Sequence, residues 1–236
     1  MFLKFILLIL ISFSINAAKI QRLDYAGFTL WVDGERRGAV KFQYKAQQDS
    51  GSFQRHQRFY YDPVLPERYQ QISTQSYKNK GQRYDRGHLV PDNHLDYSKL
   101  AIKQSNYMTN ILPQAANMNR SAWLRTEEIT ECYRDIDELL VIGGVIWGNN
   151  TEDDFYIGSH GVATPDAFWK VIIRNDRVIA WIVPNSSTAP RQRLDDYLVS
   201  VDEIEHVTGE TIPIADYLKY ERPKQSWLIH HGCNKG

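Results

Sequence analysis

Apolar and polar positions alternate over 39–44, with Val40, Phe42 and Tyr44 on one face and Lys41 and Gln43 on the other. A period of two marks a half-buried strand. Together with 28–32 and a connection opening at Asp33-Gly34, this stretch predicts a hairpin. The unbroken apolar run over 139–146 predicts a buried strand, and 168–173 with 178–184, joined by Asn175-Asp176, predict a second hairpin. A different period lies between them. From about 118 to 139, Ile129, Cys132, Tyr133 and Ile136 recur at steps of three and four, which predicts a helix. At roughly 100° per residue, Trp123 lies about 40° and Glu127 about 80° from Asn119, so the three share one side of that helix. Residues 47–83 show neither period; rich in Gln, Tyr and Arg, they predict a long ordered surface loop. The stretch 87–113 reads as a strand at 88–90, an irregular loop at 91–104 and a strand at 107–112.

At 236 residues, 42% apolar and 24% charged, the chain can bury one good core. No repeat or linker divides it, so a single domain over 19–236 is expected, of α+β class. Residues 1–18 read as a signal peptide: Lys4, an apolar run over 5–13, and a small-residue cleavage site at Ile15-Asn16-Ala17-Ala18. The run is short for a bilayer. A secreted or periplasmic protein, with no stable membrane association after cleavage, is expected; an uncleaved anchor is the competing reading. The pattern specifies no oligomeric state.

Charge changes the picture by what it withholds. Basic and acidic residues balance at 28 against 28, and loss of Lys4 leaves 27 against 28, a net charge of −1. Attraction to a polyanion therefore requires a local patch. Arg55, Arg58, Lys78, Lys80, Arg83, Arg86, Arg120 and Arg125 are its candidates. Cys132 and Cys233 allow one bridge between the helix and the C-terminal tail; the alternative is a buried Cys132 and a free tail thiol. Without a Cys-x-x-Cys pair there is no zinc ribbon or dithiol redox motif.

The densest chemistry lies from Tyr84 to Asp96, where Asp85, Arg86 and His88 surround Gly87, a residue that lets the backbone turn or approach a partner closely. An imidazole beside a fixed cation suits a general base acting on an anionic substrate. The competing reading is a surface histidine in a turn. His88 and His94 with Asp92 or Asp96 match no zinc spacing.

The order Asp85-Arg86-Gly87-His88 resembles the signature of the DNA/RNA non-specific endonucleases, a ββα-metal family. A second block, Ser105 to Gln114 and then Asn119-Arg120-Ser121-Ala122-Trp123 with Glu127, resembles the same family at the same separation. The resemblance runs from about Tyr25 to Leu218 and includes a late segment, 197–205, where a short strand precedes a helix ahead of Thr208-Gly209. It implies a mixed, mainly antiparallel central sheet flanked by helices, bearing the ββα-metal motif. It also implies hydrolysis of DNA and RNA with Mg²⁺, and with Mn²⁺ as its substitute. His88 is then the base and Asn119 the metal ligand, an amide oxygen being a hard donor suited to Mg²⁺. Glu127 holds the metal's waters. Arg86 binds phosphate or braces the loop, Asp85 pairs with it, and Asn106 and Asn110 position the site or serve the fold. The segment 55–63 resembles the family's arginine-containing stretch, with Arg58 the first choice for the phosphate clamp and Arg55 the second; pairing with Asp62 or stacking on Tyr60 is the structural alternative. A nucleic-acid-binding or uptake protein with catalysis lost, and a phosphodiesterase of smaller diesters, are the other functional readings.

Overall fold

Nine strands form in the computed structural model, which describes residues 20–233; the expected signal peptide lies outside the described residues. They are β1 (Gln21–Tyr25), β2 (Phe28–Asp33), β3 (Gly38–Ala46), β4 (Tyr84–His88), β5 (Ile111–Ala115), β6 (Leu139–Ile146), β7 (Ala167–Arg174), β8 (Arg177–Pro184) and β9 (Leu198–Val199). Seven build one sheet in the order β1-β2-β3-β6-β7-β8-β9, and every pairing within it is antiparallel. Both expected hairpins are present, the second turning at Asn175 with a φ of 52°. β1 escaped the sequence pattern because its five residues carry one buried apolar side chain, Leu23.

Alternation along β7 divides the interior in two. Phe168 and Ile172 face one core, Trp169 and Val171 the other. The second core lies with Val201, Ile204 and Leu218 of two helices, Val201–Thr208 and Asp216–Lys219. The first of these helices begins with a capping box between Ser200 and Glu203 and ends at Gly209 in the left-handed region.

The other core underlies the ββα unit, in which β4 and β5, antiparallel, lead into a helical run. Helix α1 (Lys99–Ser105) fills the connection between the two strands, and after β5 come α2 (Ala116–Met118), a π-helical stretch (Asn119–Trp123) and α3 (Leu124–Arg134). Three expectations change here. His88 ends its strand instead of opening one, since the pairing runs Tyr84↔Ala115 to His88↔Ile111. The stretch 91–104 is not irregular throughout, because Ser98 caps α1 by accepting from the Ala101 amide. The long helix stops at Arg134, not near 139: Ile136 is half exposed, and Asp135, Asp137 and Glu138 oppose the dipole of a helix end.

The polar stretch 47–83 is an ordered loop, as its composition predicts. Its backbone bonds to the segment after the signature, Tyr60 N to Asn106 O at 3.0 Å and Met108 N to Tyr60 O at 2.9 Å. Buried side chains complete the attachment: Gln71 Nε2 donates to Ile111 O at 2.7 Å, and Asp62 accepts from Thr109 Oγ1 at 3.0 Å and from Tyr25. Such partners are obligatory for a loop laid over a core. Cys132 and Cys233 are bridged, with Cα atoms 5.2 Å apart. Among the described residues no helix is long and apolar enough to cross a membrane.

Candidate active site

The end of β4, the start of the π-helical stretch and the loop at 53–55 border an open cavity of about 430 Å³. His88, Asn119, Glu127, Arg86, Arg55 and Asp92 all line it. His88 reaches it from a strand that Gly87 allows to lie close to β5: a Cβ at Gly87 would overlap the Gln114 side chain. Asn119 and Glu127 reach it together because the helix is wide there. The Leu124 amide donates to Asn119 O, five residues back. One extra residue in that turn leaves the two side chains about 20° apart, where an unbroken α-helix separates them by about 80°. Trp123 does not share this face; fully buried, it packs on Phe168 with ring centroids 5.6 Å apart.

The His88 imidazole is 8% exposed and its Nε2 has no hydrogen-bond partner among the described residues. Burial pulls its pKa down to about 4; Asp92 and the neighbouring Asn106 amide favour the charged form, while Arg55 and Arg86 oppose it. The ring is therefore neutral near pH 7, with a lone pair for a proton. Phe59 stands beside it at 5.6 Å between centroids and also carries the Arg86 guanidinium at 4.0 Å. Arg86 donates to Thr74 O at 2.8 Å, and burial lowers its pKa.

Asp85 is half of a bidentate pair with Arg120, at 2.7 and 2.6 Å, and accepts from Asn119 Nδ2 at 3.1 Å. The expected partner was Arg86; Arg120 takes its place, because Arg86 is drawn onto Phe59. The contact spends the amide nitrogen of Asn119 on Asp85 and leaves its oxygen for another partner. Arg55 lines the cavity, its Nε 2.8 Å from Asp92 Oδ2, whereas Arg58, the first choice from sequence, is exposed and borders neither this cavity nor the next. Asn106 is fully buried against His88 and donates to Ile102 O at 2.9 Å. Asn110 lies away from the cavity and clamps the chain after His88: its side chain bonds Val90 N at 3.0 Å and Val90 O at 2.9 Å.

Glu127 is half-buried at the cavity wall, and desolvation pushes its carboxyl up while Lys170 holds it down. Lys170 and Asp92 were not assigned roles from sequence. A signal for Lys170 existed: it is the one ionisable residue inside the apolar run 168–173, at the same parity as Phe168 and Ile172. His94 turns away to Tyr44, 2.8 Å from its hydroxyl. Among the described residues no cluster of three or more His, Cys, Asp or Glu suits a metal ion. A hard cation that keeps most of its waters needs no such cluster, and a free amide oxygen with a nearby carboxylate fits it.

A second cavity, of about 750 Å³, shares Arg55, Arg86, Asn119 and Arg120 with the first, so the two form one groove. Lys78 and Arg83, both exposed, extend its basic lining. Lys80 and Arg125, named with them from sequence, border neither cavity.

The family model described as DNA/RNA non-specific endonuclease matches residues 10–221. Human "Nuclease EXOG, mitochondrial" is 27% identical over 174 residues, covering 66% of this chain and 46% of that protein. Bovine "Endonuclease G, mitochondrial" is 26% identical over 199 residues, 78% of this chain and 66% of that one. "Nuclease" from Nostoc is 29% identical over 175 residues, 67% and 60%. The chain thus spans about half the length of the EXOG nucleases that it matches. The crystal structure of the EndoG/EndoGI complex superposes with a TM-score of 0.63 at 21% identity, over 80% of this chain and 83% of that one.

Proposed function

Since the chain belongs to the family of DNA/RNA non-specific endonucleases, we propose that it is a magnesium-dependent nuclease that hydrolyses phosphodiester bonds of DNA and RNA with little sequence preference. The observation that carries this reading is a neutral, buried His88 on the same cavity as Asn119. Asn119 would hold the cation through its amide oxygen, and Glu127 would hold the cation's waters. When bound, a hard divalent cation supplies neutralising charge at the phosphoryl and departing oxygens. His88 takes the proton of the attacking water, a role worth about 10² to 10⁴ in rate. Asn106 steers the imidazole, and Asp85 orients the Asn119 amide. Arg86 and Arg55 border the cavity where charge builds on the phosphate. Sequence preference is low because the groove offers cations to phosphates, which carry no base information.

Export is part of the same proposal, supported by the apolar run at 5–13 and by a disulfide, which persists in oxidising compartments. The assay is incubation of the purified protein with plasmid DNA and with RNA, in Mg²⁺ and in chelator. Cutting of both, in Mg²⁺ alone, is expected, and His88→Ala should lower kcat by about 10² to 10⁴ with KM little changed. Binding without cutting by the wild-type protein would instead support an inactive nucleic-acid-binding protein.

A further inference from the structure

Lys170 occupies the middle of β7, on the face that Phe168 and Ile172 give to the core. None of its side chain is exposed. An ammonium so placed is strongly unfavourable unless its surroundings answer its charge. The three groups in closest contact with its Nζ among the described residues come from the helical run that carries Asn119, while Glu131, farther along it, adds a second negative charge. Its Nζ donates to Thr126 Oγ1 at 2.7 Å, lies 3.9 Å from the Trp123 ring centre, and stands 4.0 Å from Glu127 Oε1. Thr126 in turn donates to Trp123 O at 2.7 Å, so its hydroxyl is held from both sides.

A methionine or leucine would fill the same volume without the charge, and buried ion pairs are often replaceable by apolar residues at little loss of stability. What distinguishes this pair is where its acidic member stands: the Glu127 side chain is 13% exposed and lines the cavity that His88 and Asn119 share. We propose that Lys170 is a positioning residue of this site, fixing the Glu127 carboxylate at the cavity wall from behind and thereby setting affinity for the divalent cation. The proposal rests on the nuclease reading given above for its rate effect, but not for its effect on cation binding. Lys170 acts through Glu127 and touches neither substrate nor cation.

The test compares wild type, Lys170→Met, Glu127→Gln and the double variant by kcat, KM and calorimetric titration with Mn²⁺. Lys170→Met should weaken Mn²⁺ binding about tenfold or more, the range found when groups supporting a metal's surroundings are removed, and should lower kcat with KM unchanged. In the Glu127→Gln background the same change should have no further effect, because the two residues act in series. Wild-type kcat and Mn²⁺ affinity in Lys170→Met, or losses that multiply independently in the double variant, would overturn the proposal. If Lys170→Met does not fold, Lys170→Gln, which can still reach Thr126 but carries no charge, takes its place: weakened Mn²⁺ binding in that variant, with no further loss when it is combined with Glu127→Gln, supports the proposal, and wild-type affinity overturns it. Wild-type protein that binds Mn²⁺ yet cuts neither polymer would sink the nuclease reading alone.

Discussion

Burial gives His88 the protonation state that a base requires at the cost of basicity, since its pKa falls to about 4 from an ordinary 6.5. The consequence has a definite sign. The ring is neutral above about pH 4, so removing protons between pH 5 and 8 adds no further competent base. In a Glu127→Gln background, which silences the carboxyl that desolvation has shifted upward at the cavity wall, residual kcat/KM should be flat from pH 5 to 8; a limb near 6.5 would show an imidazole in water. A phosphodiester brings negative charge to the ring, so the corresponding limb in kcat should lie at higher pH than that in kcat/KM. Single residues were unequally legible in sequence. His88, Asn119 and Glu127 stand in motifs whose order carries the roles proposed for them, but Arg55 and Arg58 sit in a stretch without period, and nothing local ranks them. Their ranking comes from Asp92, a residue far along the chain that draws one arginine over the cavity. Lys170 was hidden by the opposite circumstance, an apolar run over 168–173 whose one charge passed as a lapse in the pattern.

Among the elements, long periods were legible and short ones were not. Both hairpins follow from alternation, while α1, seven residues long, has too few turns to show a stripe and rests on its Ser98 cap. The π-helical stretch has no sequence signature at all, because 100° per residue assumes a regular helix. The contact between β4 and β5 makes a sharper demand. Gly87→Ala should cost about 1 to 3 kcal/mol in urea unfolding, the usual penalty of overpacking, and Gln114→Ala in the same chain should recover most of it. No recovery would place the strain in the backbone instead. The disulfide acts on the element that holds Asn119 and Glu127, closing a sequence separation of 101 residues from α3 to the tail. Cys132→Ser with Cys233→Ser should lower stability by on the order of 4 to 5 kcal/mol in the chain-entropy account. A loss under about 1 kcal/mol would mean that the unfolded chain is compact without it.

For the whole molecule, charge and shape part company. A balance of 28 basic against 28 acidic residues gives no long-range pull on a polyanion, yet the groove collects Arg55, Lys78, Arg83, Arg86 and Arg120 along two joined cavities. Binding should therefore be strongly salt-dependent despite the neutral total. Lys78→Ser with Arg83→Ser should reduce the slope of log Kd against log salt by about 2, one per cation, and weaken all sequences alike. An unchanged slope would remove this arm of the groove from the substrate path. The sheet and the antiparallel ββα frame were foreseeable from pattern and family resemblance together, whereas the groove was not, since it exists only once the 47–83 loop is tied down by Asp62 and Gln71. Two of its cations already hold carboxylates, Arg55 with Asp92 and Arg120 with Asp85. Those acids are rivals of any incoming phosphate. On the proposed function, a long strand anchored at several points would displace them, whereas a fragment of one or two nucleotides would have too few charges to keep them away; the internal pairs would then re-form behind it and clear the groove for the next strand.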